Sequence, residues 1–175
     1  MIPGRQFAAL QIQGDRPYQE DDFGCVNDRE PNDPTPDSLL LVLADGMGGH
    51  AGGAHASQTA IKAFIERYRP DPGNEIDRLE ESLEEANSQI KQATLSNPDL
   101  QGMGCTLVGA LFMDEGLIWV SVGDSPVVPT GTRPLLPSAI CHSTNSRRAF
   151  SSTWPLLSNG VTSAVNDPLN MIFTP

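Results

Sequence analysis

The chain has 175 residues, a length that suits one domain with a substantial core. Its 22 acidic and 11 basic residues give a formal net charge of −11, which argues against a nucleic-acid partner because a polyanion would be repelled. The cysteines Cys25, Cys105 and Cys141 are odd in number and lack C-x-x-C spacing, so we expect neither a structural disulfide nor a cysteine zinc site. No apolar run is long enough to span a bilayer, and we expect a cytoplasmic protein without a membrane partner.

The first part of the chain alternates strand patterns with loops. Residues 7–13, FAALQIQ, alternate partly between apolar and polar side chains and predict a strand. After a turn, residues 23–26 predict a short extended segment. Residues 27–38 are rich in proline and acidic residues, which is typical of a surface loop. Residues 39–44, LLLVLA, are a continuous apolar run that predicts a central strand buried on both faces.

Two helices are predicted next. From Gly53 to Arg69 apolar residues recur at helical spacing, and Pro70 and Pro72 end the pattern. From Glu75 to Leu95 a second pattern carries one apolar stripe opposite a glutamate-rich face. The stripe consists of Ile76, Leu79, Leu83, Ala86, Ile90 and Ala93. It could form a coiled-coil seam, but at this length we favour a helix packed on a sheet or on its neighbour.

Residues 105–128 predict a β-hairpin, with strands 105–113 and 117–123 around the turn Asp114-Glu115-Gly116. The order of elements favours an α/β layered fold of the α+β type, in which two antiparallel helices cover an antiparallel sheet. Residues 129–175 are rich in serine, threonine and proline, with no helical or strand period, which is typical of a disordered segment or linker. We therefore divide the chain at residue 128.

A carboxylate and several glycines follow the apolar run. Asp45 stands at the end of the predicted strand, before Gly46. Such a carboxylate can ligate a hard cation, and glycines let backbone carbonyls approach the same ion. The alternative is an aspartate that caps a turn, with glycines for positive φ. A phosphate cradle is less favoured, because the segment has neither the lysine of a P-loop nor the G-x-G-x-x-G spacing.

Two further segments place charged residues near strand ends. Arg16 precedes Glu20 and Asp21 by four and five residues, and arginine can bind a phosphate bidentately. Asp124 follows the second hairpin strand directly after a glycine. Each segment by itself could be an acidic surface turn. Together with Asp45 they form a set suited to metal-assisted phosphoryl chemistry.

Four stretches carry a resemblance to a known family. They are RPYQEDD, LADGMGGHAGGAHAS, GMGCTLVGALF and SVGDSP, in this order. The sequence thereby resembles the metal-dependent protein phosphatases of the PPM or PP2C type, in their bacterial form, over residues 5–128. The resemblance implies a four-layer αββα sandwich of antiparallel sheets and antiparallel helix pairs, with metals between the sheets at one end. The chain should supply only the N-terminal part of it.

The resemblance also implies a metal centre of two Mn²⁺ or Mg²⁺ ions. Asp45 would bridge the two ions, and the Gly46 carbonyl would ligate one of them. Glu20 and Asp21 would orient metal-bound waters. Asp124 would help to hold a third ion more loosely.

The implied reaction is the hydrolysis of phosphoserine or phosphothreonine by a hydroxide that bridges the metals. Arg16 would bind the substrate phosphate, and the substrate would be the product of a Ser/Thr kinase. Thr106 is expected to be a packing and turn residue. Met47 stands where eukaryotic members have a histidine, and neither His50 nor His55 is expected to replace it as a general acid.

One departure concerns the later part of the family domain. Its Asp-Gly and Asp-Asn segments would complete the metal site, but beyond Asp124 this chain has only Asp167. We therefore expect residues 129–175 to be an out-of-frame tail or the mark of a truncated gene. Three hypotheses stay open: an active phosphatase, a non-catalytic pseudophosphatase that binds phosphoprotein or metal, and an unrelated metal- or nucleotide-binding module.

Overall fold

A computed structural model describes residues 8–27, 38–47, 51–69, 74–113, 116–125 and 140–143. Within these ranges the chain forms an α+β structure of strands, two long helices and a short 3-10 helix at Pro98–Leu100. The strands are β1 (Asp21–Asn27), β2 (Leu39–Met47), β3 (Gly104–Cys105), β4 (Leu107–Met113), β5 (Gly116–Val122) and β6 (Ile140–Ser143). The helices are α1 (Ala51–Tyr68) and α2 (Glu75–Ser96).

The strands form one sheet in the order β1-β2-β4-β5-β6, and β3 pairs with the end of β2. All pairs are antiparallel except β5 and β6, which are parallel. β6 falls in the C-terminal segment, where the sequence pattern predicted no strand. The division of the chain at residue 128 remains a prediction.

The two helices pack against each other and run antiparallel. Asn74 caps α2, because its side chain accepts a hydrogen bond from the Ile76 N–H at 2.9 Å. Arg78, one turn into α2, lies 4.0 Å above the ring of Tyr68 and donates to the Tyr68 carbonyl at the end of α1. The end of α1 therefore meets the start of α2. The apolar stripe of α2 is part of the hydrophobic core of this chain. The packed helix is therefore confirmed over the coiled-coil seam.

The core lies between the helix pair and one face of the sheet. Phe64 of α1 is fully buried, and it faces β4 at Gly109. A Cβ at Gly109 would lie 2.9 Å from Phe64 Cζ, so the ring occupies the space that a side chain would take. Gly24 of β1 likewise admits Ile65 and Ile61 of α1. Glycine at these two strand positions lets the helix approach the sheet closely.

The predicted burial of β2 on both faces is wrong. Val42 and Ala44 are buried toward the helices, but Leu43 on the opposite face is 55% exposed. Its position as a central strand is confirmed, since β2 pairs with β1 and β4. The apolar run thus reflects a strand with one buried face and one face that is partly open.

The predicted strand over residues 7–13 is also wrong for the part that is described. Residues 8–13 have no regular structure, and Leu10 and Ile12 are 87% and 76% exposed. Side-chain amides attach the segment instead: Gln11 donates to the Asp21 carbonyl, and Gln19 donates to the Ile12 carbonyl at 3.3 Å. Side-chain bonds of this kind do not impose the regular pairing of a strand.

The remaining elements agree closely with the sequence patterns. The α+β fold class, both helices, the extended segment at 23–26 (within β1) and the β4–β5 hairpin are confirmed. The expected loop at 27–38, the prolines that follow α1 and the hairpin turn at 114–115 lie almost wholly outside the described residues. The second sheet of the expected sandwich is not among the described elements. Neither α1 nor α2 is long and apolar enough to cross a membrane.

We expect Gly109→Ala to lower the free energy of unfolding by about 1–3 kcal/mol, measured by urea denaturation, because the new methyl group would overpack against Phe64 and Val120. Gly52→Ala is the matched control: its Cβ would lie at an ordinary 3.5 Å from Met103, and alanine favours helix. Combining Gly109→Ala with Phe64→Leu should cost less than the sum of the two changes. A Gly109→Ala variant as stable as the parent chain would contradict this packing.

Candidate metal and phosphate site

Two aspartates face each other at the end of the β1–β2 ladder. Asp21 is the direct partner of Asp45 in the antiparallel register. Directly opposed residues point to the same side of a sheet. Because Val42 and Ala44 point to the helices, the strand alternation places Asp45 and Asp21 on the other face. Both residues are exposed there, within reach of solvent.

Partial burial and neighbouring charges together determine the pKa of Asp45. Partial burial raises the pKa of Asp45 above the ordinary 3.8, and the nearby charge and hydrogen bond of Asp21 raise it further. The charge of Asp124 also raises this pKa, whereas the guanidinium of Arg16 lowers it. The pKa of Asp45 therefore depends on three other predicted site residues, Asp21, Asp124 and Arg16. The carboxylates repel one another, and a cation there would relieve the repulsion.

Glu20 and Gly46 are held together by the backbone. The Gly46 N–H donates to the Glu20 carbonyl at 3.1 Å, and the Ser57 hydroxyl of α1 donates to the same carbonyl at 2.6 Å. A Cβ on Gly46 would collide with the carbonyls of Glu20 and Gly53. A Cβ on Gly53 would lie 3.0 Å from the Glu20 carboxyl carbon. The glycines thus allow the strand end, the Glu20 carboxylate and the first turn of α1 to meet.

Arg16 lies on an exposed turn that precedes β1. Gly14 has a φ of +63°, which glycine adopts readily, and the Gln13 side chain donates to the Arg16 carbonyl at 2.7 Å. The Gln19 side chain accepts a hydrogen bond from the Asp21 N–H at 3.2 Å. These bonds position the turn next to the start of β1, so that the guanidinium acts on Asp45 while it remains open to a ligand.

Asp124 follows β5, and its neighbour Ser125 is joined to Asp45 through Thr106. The Thr106 hydroxyl accepts from the Asp45 N–H at 3.3 Å and bonds the Ser125 hydroxyl at 2.8 Å. The Thr106 N–H donates to the Asp45 carbonyl at 2.9 Å. Two strand ends that are distant in sequence are therefore connected through one side chain.

Cys105 is next to the site but is not suited to be a nucleophile. The side chain is buried, and its thiol lies 3.9 Å from the Ala56 carbonyl of α1. Burial, with a smaller contribution from the negative charge of Asp45, raises the pKa of Cys105 to about 12. The thiol is therefore protonated at neutral pH, and thiolate chemistry is disfavoured there.

The candidate donors are oxygen atoms of the kind that bind a hard divalent cation. Carboxylates and backbone carbonyls are the ligands that Mg²⁺ and Mn²⁺ prefer. Asp21 and Asp45 lie side by side, and the charge of Asp21 raises the pKa of Asp45, which fits a pair of donors for such an ion. Over the described ranges, no three Asp, Glu, His or Cys side chains form a group close enough to hold a metal ion. Asp21 and Asp45 therefore stay candidate donors, and the charge of Asp124 acts on the same carboxyl group of Asp45.

Sequence reasoning missed the hydroxyls that hold the site together. It treated Thr106 as a packing and turn residue and did not consider Ser57 or Ser125. The signal for Ser125 was its place directly after Asp124, whereas a contact between Ser57 and Glu20 requires the tertiary fold. His55 is an exposed residue of α1, and His50 lies outside the described residues.

The comparison with protein families shows which family the chain belongs to. The family described as Protein phosphatase 2C matches residues 20–152, which is more than half of the chain. The chain belongs to the protein phosphatase 2C family. The resemblance inferred from the four stretches is thereby confirmed.

The chain is similar to several bacterial proteins. The chain is 39% identical over 105 residues to the serine/threonine protein phosphatase PstP of Mycobacterium tuberculosis, which covers 59% of this chain and 20% of that protein. It is 32% identical over 113 residues to the serine/threonine phosphatase stp of Listeria monocytogenes, covering 62% and 43%. A solved structure of a bacterial serine phosphatase matches with a TM-score of 0.52, at 29% identity, over 62% of this chain and 48% of that one. The chain thus spans less than half the length of these proteins.

We expect Asp45→Asn to stabilise the metal-free chain at neutral pH. A raised pKa means that the folded state holds a proton that the unfolded state releases, so the Asp45 carboxyl makes stability fall as pH rises above 3.8. An amide does not ionise and removes this dependence. In thermal unfolding between pH 4 and 7, the midpoint temperature of the variant should rise relative to that of the parent chain as pH rises. Glu84→Gln, on the exposed face of α2, is the control and should show no such trend.

Proposed function

We propose that this chain is a metal-dependent protein serine/threonine phosphatase that hydrolyses phosphoserine and phosphothreonine. Its membership of the protein phosphatase 2C family and its relatives named as serine/threonine phosphatases support the proposal. The observation that carries it is the Asp21–Asp45 pair at one strand end, with the Arg16 charge acting on it. Carboxylates for a cation and a guanidinium for a phosphate are thereby combined.

The acidic residues are proposed as the metal ligands. Asp45 and the Gly46 carbonyl would hold two Mn²⁺ or Mg²⁺ ions, Glu20 and Asp21 would orient their waters, and Asp124 would contribute to a third ion. Divalent ions, when bound, supply a water of lowered pKa as nucleophile and neutralise the phosphate charge. The protein's own task is to hold the carboxylates in place. The backbone bonds of Glu20, Gly46 and Asp45 perform it.

Arg16 is proposed as the phosphate ligand. Its guanidinium can donate two parallel hydrogen bonds to phosphate oxygens, and it is exposed on a turn held by glutamine side chains. Beside the carboxylates it also limits the repulsion of an incoming dianion. Binding the phosphate this way would orient the ester bond toward the acidic pair.

The substrate is proposed to be a protein phosphorylated by a Ser/Thr kinase. The net charge of −11 supports a protein partner over a nucleic acid. The proposed location is the cytoplasm, which is supported by the free thiols of Cys25 and Cys105, since reduced cysteines are typical of that compartment.

The test is phosphate release from a phosphothreonine peptide by the 175-residue chain, with and without Mn²⁺. We expect manganese-dependent release that Asp45→Asn lowers by at least about 100-fold, because a ligand is lost. Arg16→Ala should lower kcat/KM by about 10- to 100-fold through the lost charge-assisted bonds. Glu84→Gln should behave as the parent chain.

Two outcomes would contradict the proposal. Release that is independent of Mn²⁺ or unaffected by Asp45→Asn would place the reaction elsewhere. Absence of release, with Mn²⁺ or phosphopeptide still bound, would favour the non-catalytic alternative. Binding is measured on the same preparations by manganese electron paramagnetic resonance and by fluorescence anisotropy of a labelled peptide.

A further inference from the structure

The connection between β2, β4 and the segment after β5 goes through one buried side chain. Thr106, between β3 and β4, is 4% exposed. Its hydroxyl bonds both the Asp45 N–H and the Ser125 hydroxyl, at 3.3 Å and 2.8 Å. A threonine hydroxyl has one proton and two acceptor sites, so it can serve both partners at once. Asp45 is itself part of this bridge through its backbone N–H, and Asp124 directly precedes Ser125 at the other end.

The methyl side of Thr106 constrains the same segment. Gly123 has a φ of +98°, and a Cβ there would lie 2.7 Å from Thr106 Cγ2. The backbone of Gly123 therefore packs directly on the threonine. Thr106 contacts the segment that carries Asp124 on both sides of that residue, at 123 and at 125.

We propose that Thr106 is a positioning residue that fixes the Asp124 segment against Asp45, with Ser125 as its partner. The inference rests on the proposed function in one respect: both carboxylates are assigned to the metal centre. Thr106 itself touches neither metal nor substrate in this assignment. It acts by setting where the second carboxylate stands relative to the first, as outer-shell hydrogen bonds do in metal sites.

The role differs from that of an ordinary buried threonine. A threonine needed for packing alone would be replaced without loss by valine, which has the same shape and keeps the contact with Gly123. A positioning hydroxyl is lost in Thr106→Val and kept in Thr106→Ser. The pair of variants thus separates the hydroxyl from the methyl group.

The first measurement is Mn²⁺ affinity by electron paramagnetic resonance of the free ion. We expect Thr106→Val and Ser125→Ala to weaken binding by about 10- to 100-fold, and Thr106→Ser to stay within about threefold of the parent chain. The double variant with Thr106→Val and Ser125→Ala should be no weaker than Thr106→Val, because Thr106→Val already removes the hydroxyl to which Ser125 bonds. Ser82→Ala removes another buried hydroxyl, bonded to the Arg78 carbonyl within α2, and should leave affinity unchanged.

The second measurement needs no metal. Amide hydrogen exchange at the Asp45 N–H should be about tenfold faster in Thr106→Val, through loss of one hydrogen bond, and unchanged in Ser125→Ala. Backbone order parameters at Asp124 and Ser125 should fall in both variants and recover in Thr106→Ser. Exchange at the Asp45 N–H thus reports on the bond between Thr106 and Asp45, and the order parameters report on the bond between Thr106 and Ser125.

The outcomes distinguish the two proposals. If the parent chain binds no Mn²⁺, the proposed metal function fails for this chain, while exchange and order parameters still decide whether Thr106 positions the segment. If Thr106→Val and Thr106→Ser behave alike, or if Ser82→Ala weakens Mn²⁺ binding equally, the positioning role is overturned. Unchanged order at Asp124 in Thr106→Val overturns it as well.

Discussion

The register between β1 and β2 is the constraint on which the site depends. It sets Asp21 opposite Asp45, two like charges that would otherwise separate. A slip by one residue would turn one aspartate away and bring apolar side chains of β2 out of the core. The register is held by Val42 and Ala44 beneath the helices and by Gly24, where Ile65 of α1 fills the space of a side chain. Packing on one face of the sheet thereby fixes which two carboxylates lie together on the other face.

The strand end that carries this pair is held from two sides. Ser57 of α1 bonds the Glu20 carbonyl, and Thr106 bonds the amide of Asp45. Both hydroxyl-bearing residues are almost fully buried, whereas the carboxylates they support are more open to solvent. The arrangement puts rigid neutral groups behind exposed charges. Charge repulsion destabilises this end of the fold, and the surrounding bonds and core offset it, as is common at functional sites.

The predictions that rest on the spacing of apolar residues within a helix agree best with the structure. The helices were predictable because their apolar residues recur at 3.6-residue spacing, as the buried Phe64 and Leu83 show. The predicted strand at 7–13 failed because alternation shows only that a segment could pair. Its described part is joined to its neighbours by glutamine side chains, a contact that no periodicity encodes. The burial of Leu43 was overestimated for a related reason: an apolar run does not say what covers its second face.

The sequence by itself determined the family, the two helices, the central strand and the residue types of the candidate site, because these depend on local spacing and on short stretches such as ADGMGGH. Only the tertiary structure decided which of those residues meet. The opposition of Asp21 and Asp45 depends on strand register, and the bridge from Asp45 through Thr106 to Ser125 joins segments 61 and 19 residues apart. Such contacts arise from packing between elements, where hydrogen-bond geometry and excluded volume select the neighbours, and a linear pattern carries no record of them.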